Sequence, residues 1–205
     1  MGRREENSEK TTKNIMDNAL RLFREKGYDF VSVEEITRAS GISKGSFYTY
    51  FKTKSDIIVQ EFWKIDRYYE SYATRHLPLL KNPAEKLKAF TRAQMRYITE
   101  KIGVDSLKIL YSNQIQGSSG IGSKAIVDPK RRWYRIIELI IVEGQIDGSF
   151  RSDIDALELA QGFNRSIRSV FLDWCITSGD FNLEKEALKY LEEWLMPALS
   201  RTPTR

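Results

Sequence analysis

Between Ser43 and Lys54 the chain reads Ser-Lys-Gly-Ser-Phe-Tyr-Thr-Tyr-Phe-Lys-Thr-Lys. Phe47 and Phe51 lie four apart, so in a helix they bury together with Ile42 and turn Lys44, Gly45, Tyr48 and Thr49 to the opposite side. That outer face suits the groove of a nucleic-acid duplex. Ammonium and hydroxyl groups reach phosphates and base edges, and a glycine lets the backbone come close to them. From Thr37 to Ser55 the charged residues are Arg38, Lys44, Lys52 and Lys54, with no Asp or Glu among them. A local cationic bias of this kind is the footprint expected for a polyanion. The same string also describes a capped helical corner with solvated lysines, and the surrounding elements decide between the two.

Other chemistry is sparse. One His and one Cys in 205 residues leave little material for Cys-His or Ser-His-Asp catalysis, for a metal centre or for disulfides. No enzyme activity, metal or cofactor is therefore expected, although carboxylates alone could serve an all-helical enzyme. Gly117 to Lys124 superficially resembles a phosphate-binding loop, but Ser123 separates Gly122 from Lys124 and Ala125 follows, so a linker is expected. His76 is expected as a favourable charge at a helix carbonyl end, and Lys130, Arg131, Arg132 and Arg135 as a solvated surface. Arg165 and Arg168 face either water or a pocket for an anionic ligand. Cys175 reads as a buried thiol in a reducing cytoplasm. The charged N-terminus lacks a signal peptide's apolar stretch, and no apolar run approaches the roughly 18 to 20 residues of a membrane span. A cytoplasmic protein with no membrane partner is expected. The formal charge of +5 permits a nucleic-acid partner without demanding one.

The elements that would position Lys44 to Tyr50 are well punctuated. Ile15, Met16, Ala19, Leu20, Leu22 and Phe23 predict a first helix over Thr12 to Lys26, stopped by Gly27. Ser32-Val-Glu-Glu35 predicts a capping box, with Val31 and Ile36 as its hydrophobic staple. The second helix then ends near Ser40 at Gly41, and Ser43 caps a third, Lys44 to Phe51. Gly41-Ile42-Ser43 has the length of the turn in a helix-turn-helix. Thr53-Lys-Ser-Asp56 repeats the start signal for a long fourth helix carrying Ile58, Phe62, Ile65, Tyr69 and Tyr72.

The string from Ala19 to Ile58, ALRLFREKGYDFVSVEEITRASGISKGSFYTYFKTKSDII, closely resembles the N-terminal domain of the TetR (tetracycline-repressor) family across all four helices. The resemblance implies an all-α protein with a helix-turn-helix domain over 8–68, joined by a long fourth helix to a helical ligand-binding and dimerisation domain over 69–205. It also implies a homodimer that binds palindromic operator DNA and is released by a small apolar or aromatic effector. Repression is the commoner outcome in that family, and activation by the same fold is the alternative. A DNA-bending architectural protein is a third class, but it would favour groove wedges and basic tails over a large aromatic second domain. Residue by residue, Lys44, Ser46, Tyr48, Thr49 and Tyr50 match base- or phosphate-contacting positions, Tyr50 standing where the family often has His. Ser32 and Lys54 match flanking phosphate contacts, and Thr37 and Arg38 lie on the bracing helix. Ser43 and Gly45 complete the DNA-facing set. Glu34 stands where some relatives carry a basic base-reading residue, so its carboxylate must read a cytosine amino group or point away.

Beyond Asn82 the resemblance is one of architecture, and helical periodicity carries the reading. Leu87 to Ile102, Leu107 to Ile115 and Trp133 to Ile141 predict three further helices, the last ended by Gly144 and Ile146-Asp-Gly-Ser-Phe-Arg151. Ile154 to Trp174 forms an eighth and Leu183 to Leu199 the last. Phe62, Trp63 and Tyr69 of helix four are expected to line an effector pocket. Phe90, Tyr97, Tyr111 and Trp133, with Phe163, Arg168, Phe171 and Trp174 of helix eight, complete it. The last helix shows two apolar stripes, Leu183, Ala187, Leu191, Trp194, Ala198 and Leu188, Leu195, Leu199. The second is expected to face a twofold partner, together with Gly162, Ser166 and Ser169.

Overall fold

A computed structural model describes residues 3–116, 125–128 and 130–200, so the Gly117 to Lys124 linker expectation lies outside the described residues. Among these residues the secondary structure is helical apart from an antiparallel bridge between Phe150 and Ser200. Among the described residues no helix is long and apolar enough to cross a membrane. The chain divides into two compact units, Met1–Trp63 with Lys108–Ala125, and Lys64–Leu107 with Ile126–Arg205.

The first unit contains α1 (Arg3–Lys26), α2 (Val33–Ser40), α3 (Lys44–Tyr50) and the opening of α4 (Ser55–His76). Helix α1 begins at Arg3 rather than Thr12. Glu5 and Glu6 complement its positive end, and the Thr11 and Thr12 hydroxyls donate to the Asn7 and Ser8 carbonyls, each at 2.9 Å, instead of starting a new helix. Gly27 stops it with φ +86°. Ile15, Met16, Ala19, Leu22 and Phe23 are buried, as the spacing predicts. Asn14 Nδ2 donates to the Ser40 carbonyl at 2.8 Å, tying α1 to the end of α2.

The second unit contains the rest of α4, then α5 (Pro83–Tyr97), α6 (Val104–Ile115, whose later residues belong to the first unit), α7 (Arg132–Asp147), α8 (Ala156–Ile176), α9 (Leu183–Tyr190) and α10 (Met196–Leu199). Helix α7 packs chiefly on α8, and α5 lies against both α7 and α9. The helices depart from the expected pattern at Gly144 and in the C-terminal segment. Gly144 does not end α7, which runs to Asp147 and stops at Gly148 with φ +79°. Gly144 sits inside the helix because the Phe150 ring occupies the place of its side chain: a Cβ there would lie 2.2 Å from Phe150 Cδ2. Gly144→Ala is therefore expected to cost about 1–3 kcal/mol by overpacking. Calorimetry should show Tm falling by roughly 2–4 °C per kcal/mol.

The C-terminal stripes differ from their expected arrangement as well. Leu183, Ala187 and Leu191 are buried as one stripe requires, but Trp194 is 65% exposed and Leu199 only 4%. The cause is a π-helical turn over Leu191–Leu195. Each π turn inserts about one residue beyond the α repeat. The insertion swings Trp194 outward and brings Leu199 into the protomer's own core, where its carbonyl accepts the Arg151 N–H at 2.8 Å. Leu199 is thus not a surface residue available to a partner.

Candidate functional sites

Local chemistry presents α3 as the sequence predicts. The Ser32 hydroxyl accepts the Glu35 N–H at 3.2 Å while the Glu35 carboxylate accepts the Ser32 N–H at 3.0 Å, closing the capping box. Gly41, at φ +68°, ends α2, and the Ile42 N–H returns to the Thr37 carbonyl at 3.0 Å. Ser43 Oγ accepts the Ser46 N–H at 3.0 Å and starts α3. Only the carboxylate half of the signal at α4 forms, Asp56 accepting the Thr53 N–H at 3.0 Å, while the Thr53 hydroxyl turns to Ser55. Phe47 and Phe51 are buried, and Ile42 is half-buried beside the turn.

Lys44, Gly45, Tyr48, Thr49 and Arg38 are exposed, and Ser46 and Tyr50 are half-buried. Four of the expected contact residues carry other duties. Thr37 is buried and its hydroxyl donates to the Glu34 carbonyl at 2.9 Å, which takes it off the exposed face of α2. Ser32 and Ser43 serve as caps. Lys54 Nζ donates to the carbonyls of Tyr28 at 2.7 Å and Val31 at 3.1 Å and lies 4.1 Å from the Tyr28 ring centroid. An ammonium has three donors, so one remains for a phosphate. Sequence reasoning missed Phe30, which is 82% exposed. It borders an open groove of about 470 Å³ lined also by Ser32, Tyr48, Lys52, Thr53 and Lys54. Its only sequence signal is an aromatic residue in a loop, outside the helical periodicity.

Glu34 does not point away from α3: its carboxylate takes a hydrogen bond from the Lys44 ammonium. That bond holds the Glu34 carboxyl below its ordinary range and raises Lys44. Glu35 is brought down to about 2 from 4.5, first by the Lys26 ammonium at 2.7 Å and then by the Ser32 N–H. A depressed carboxylate stabilises the fold above its unfolded value, and this contribution disappears as the pH falls from about 4.5 toward 2. Thermal melts across that window should show wild type losing its advantage over Glu35→Gln. A pH-independent gap between the two would contradict this.

In the second unit the expected pocket residues separate into groups. Tyr69 packs on Phe90 with ring centroids 5.4 Å apart, and its hydroxyl meets the Gln94 side chain. Tyr97 stacks near Tyr68 at 4.5 Å, and Trp133 lies 6.2 Å from Phe163. Phe171 is buried on α8. Trp174 instead closes the α8–α9 corner, its indole donating to the Phe181 carbonyl at 3.2 Å. Phe62, Trp63 and Tyr111 belong to the first unit. Among the described residues of the second unit, four buried polar atoms lack hydrogen-bond partners: Thr91 Oγ1, Gln94 Oε1, Trp133 Nε1 and Arg168 Nη1. Each is a group that gains from a ligand or water able to satisfy it.

The basic cluster is only partly solvated. Arg135 pairs with Glu138 at 3.0 Å and Arg132 with Glu70, both arginines being exposed. Arg131, however, is buried and grips Asp66 with two bonds, of 3.1 and 2.7 Å. Its planar fork matches a carboxylate, which lets this charge be buried where a lone lysine would be costly. Arg165 is exposed. His76, at the end of α4, is exposed and stacks on Tyr72 at 4.5 Å.

On α8, a Cβ at Gly162 would meet nothing within 4 Å, and Ser169 is exposed, its hydroxyl donating to the Ser166 carbonyl at 2.6 Å. Leu172 and Ile176 continue this outer face, 40% and 72% exposed. Ser166, Leu188 and Leu195 are half-buried.

Residues 15–60 match the family described as bacterial regulatory proteins, tetR family. Over 183 residues the chain is 26% identical to the HTH-type transcriptional repressor KstR2 of Mycolicibacterium smegmatis, covering 86% of this chain and 85% of that protein. Among solved structures it resembles Thermus thermophilus FadR, a TetR family transcriptional repressor in complex with lauroyl-CoA. The TM-score is 0.74 at 18% identity, over 95% of this chain and 98% of that one, a likeness of fold. The MbdR regulator from Azoarcus sp. CIB aligns with a TM-score of 0.62 at 26% identity, over 93% of this chain and all of that one.

Proposed function

We propose that the chain is a transcriptional regulator of the TetR family that binds a palindromic operator as a homodimer and leaves it when a small effector occupies the helical second unit. The observation that carries the DNA reading is the exposed face of α3. Lys44, Gly45, Tyr48 and Thr49 are presented by a helix that is capped at its start and anchored below by Phe47. Twofold symmetry would set two such helices about one DNA turn, roughly 34–36 Å, apart. The test is to enrich random duplexes on the purified protein. A short palindrome supports the reading, and binding with no sequence preference contradicts it.

The dimer reading is supported by apolar surface. Leu172 and Ile176 extend the Gly162–Ser169 face of α8, and Trp194 stands out from the C-terminal segment beside half-buried Leu188 and Leu195. Such residues favour a helical interface that buries them. The effector reading is supported by the unsatisfied atoms of Gln94, Trp133 and Arg168 among the aromatic rings of α4, α5, α7 and α8. Helix α4 contributes Ile57 to Trp63 to one unit and Ile65 to Tyr72 to the other, so, like α6, it is a covalent element through which an effector can act. A family relative was solved with lauroyl-CoA, which makes acyl thioesters a sensible first set of compounds. Linkage requires that an effector and the operator weaken one another by the same factor, typically about 1–3 kcal/mol. A compound found by thermal shift is titrated with and without operator, and equal affinities exclude it as an inducer.

A further inference from the structure

Glu34 is an unusual residue to find beside a DNA-reading helix. Its side chain and that of Lys44 are each 55% exposed, and their charged ends meet at the start of α3. Two neighbouring carboxylates are otherwise employed, Glu35 on Lys26 and the Ser32 backbone and Asp56 on the Thr53 backbone. Close to phosphates a carboxylate is repelled, so Glu34 is tolerated at such a surface only where DNA offers it a donor. In the major groove the donors are the amino groups of cytosine and adenine. Lysine seeks guanine O6 and N7, and O6 lies beside the cytosine amino group of the same base pair. A linked ammonium and carboxylate can therefore meet one C·G pair without separating. In a T·A pair the thymine methyl crowds the position beside O4 that the ammonium needs.

We propose that Glu34 and Lys44 form a single reading unit for one C·G pair in each half of the operator. The inference rests on α3 being the groove-reading helix, and adds that a carboxylate from α2 sets part of its specificity. Away from that pair, Glu34 neutralises Lys44 and lowers affinity for DNA in general.

The test applies random-duplex enrichment to wild type, Glu34→Ala, Glu34→Gln and Lys44→Ala, with fluorescence anisotropy at one salt concentration on the enriched site and on a copy carrying T·A at the assigned position. Glu34 is exposed and outside the capping box, and thermal melts confirm that each variant folds. Wild type should require C·G at one position per half-site and lose about tenfold or more on the T·A copy. Glu34→Ala should accept any pair there, and on an unrelated duplex should bind more tightly with a salt slope steeper by about one unit, because Lys44 is released to the phosphates. Glu34→Gln should shift the preference toward adenine, whose N6 and N7 a carboxamide matches. Lys44→Ala should also lose the C·G requirement. If Glu34→Ala retains the wild-type preference at every position, the inference falls while the DNA reading stands. If wild type enriches no sequence, both fall.

Discussion

Replacing Leu172 and Ile176 together with Asp is expected to leave the protein monomeric at micromolar concentration and to lower operator affinity by more than about a hundredfold, or about 2.7 kcal/mol. In a twofold contact each substitution occurs twice, so four carboxylates would have to be desolvated without partners, a cost well above that of losing the apolar contacts alone. Both residues lie on the outer face of α8, so the isolated protomer keeps its core. Trp194→Asp should act in the same direction, since Trp194 is turned outward by the π-helical turn. Leu199→Ala is the contrasting control. It removes a side chain buried within one protomer and should cost about 2–5 kcal/mol of fold stability. Light scattering reports assembly, anisotropy reports operator affinity and calorimetry reports Tm. A dimer that survives the double substitution places the interface elsewhere.

Lys44→Ala and Tyr48→Ala should each weaken binding to the enriched operator by about 1–3 kcal/mol and leave the protein folded, with little change in melting temperature. Both side chains are exposed, and the Tyr48 ring, which meets the edge of Phe47 at a centroid distance of 5.5 Å, lies outside the buried Phe47–Phe51 pair. Lys54→Ala separates positioning from contact. Its ammonium ties the α4 entry to the Tyr28 and Val31 carbonyls, so the variant should lower Tm as well as affinity. The loss should be similar on all DNA sequences, with a salt slope shallower by about one unit. Affinity unchanged in Lys44→Ala and Tyr48→Ala at matched salt would remove α3 from the interface.

Much of the DNA-binding unit was legible in the sequence because its determinants are short-range. Ser32 meets Glu35 three residues on, Ser43 meets Ser46, and Gly41 takes the left-handed conformation that its position after α2 calls for. Helical periodicity likewise placed Phe47 inside and Lys44, Tyr48 and Thr49 outside, since side-chain direction follows from 3.6 residues per turn. Tertiary structure decided what depends on partners distant in sequence. Lys54 reaches carbonyls 26 and 23 residues away, Lys44 finds Glu34 10 residues away, and Arg131 is buried because Asp66 stands 65 residues away to receive it. Composition marks each of these as a charged residue suited to water, and only packing supplies the opposite charge or the acceptors that redirect it. Gly144 looked like a helix stop and is a seat for Phe150, and a π turn exchanged Trp194 and Leu199 between surface and core. Both outcomes arise where one element presses on another, and local spacing carries no record of that pressure.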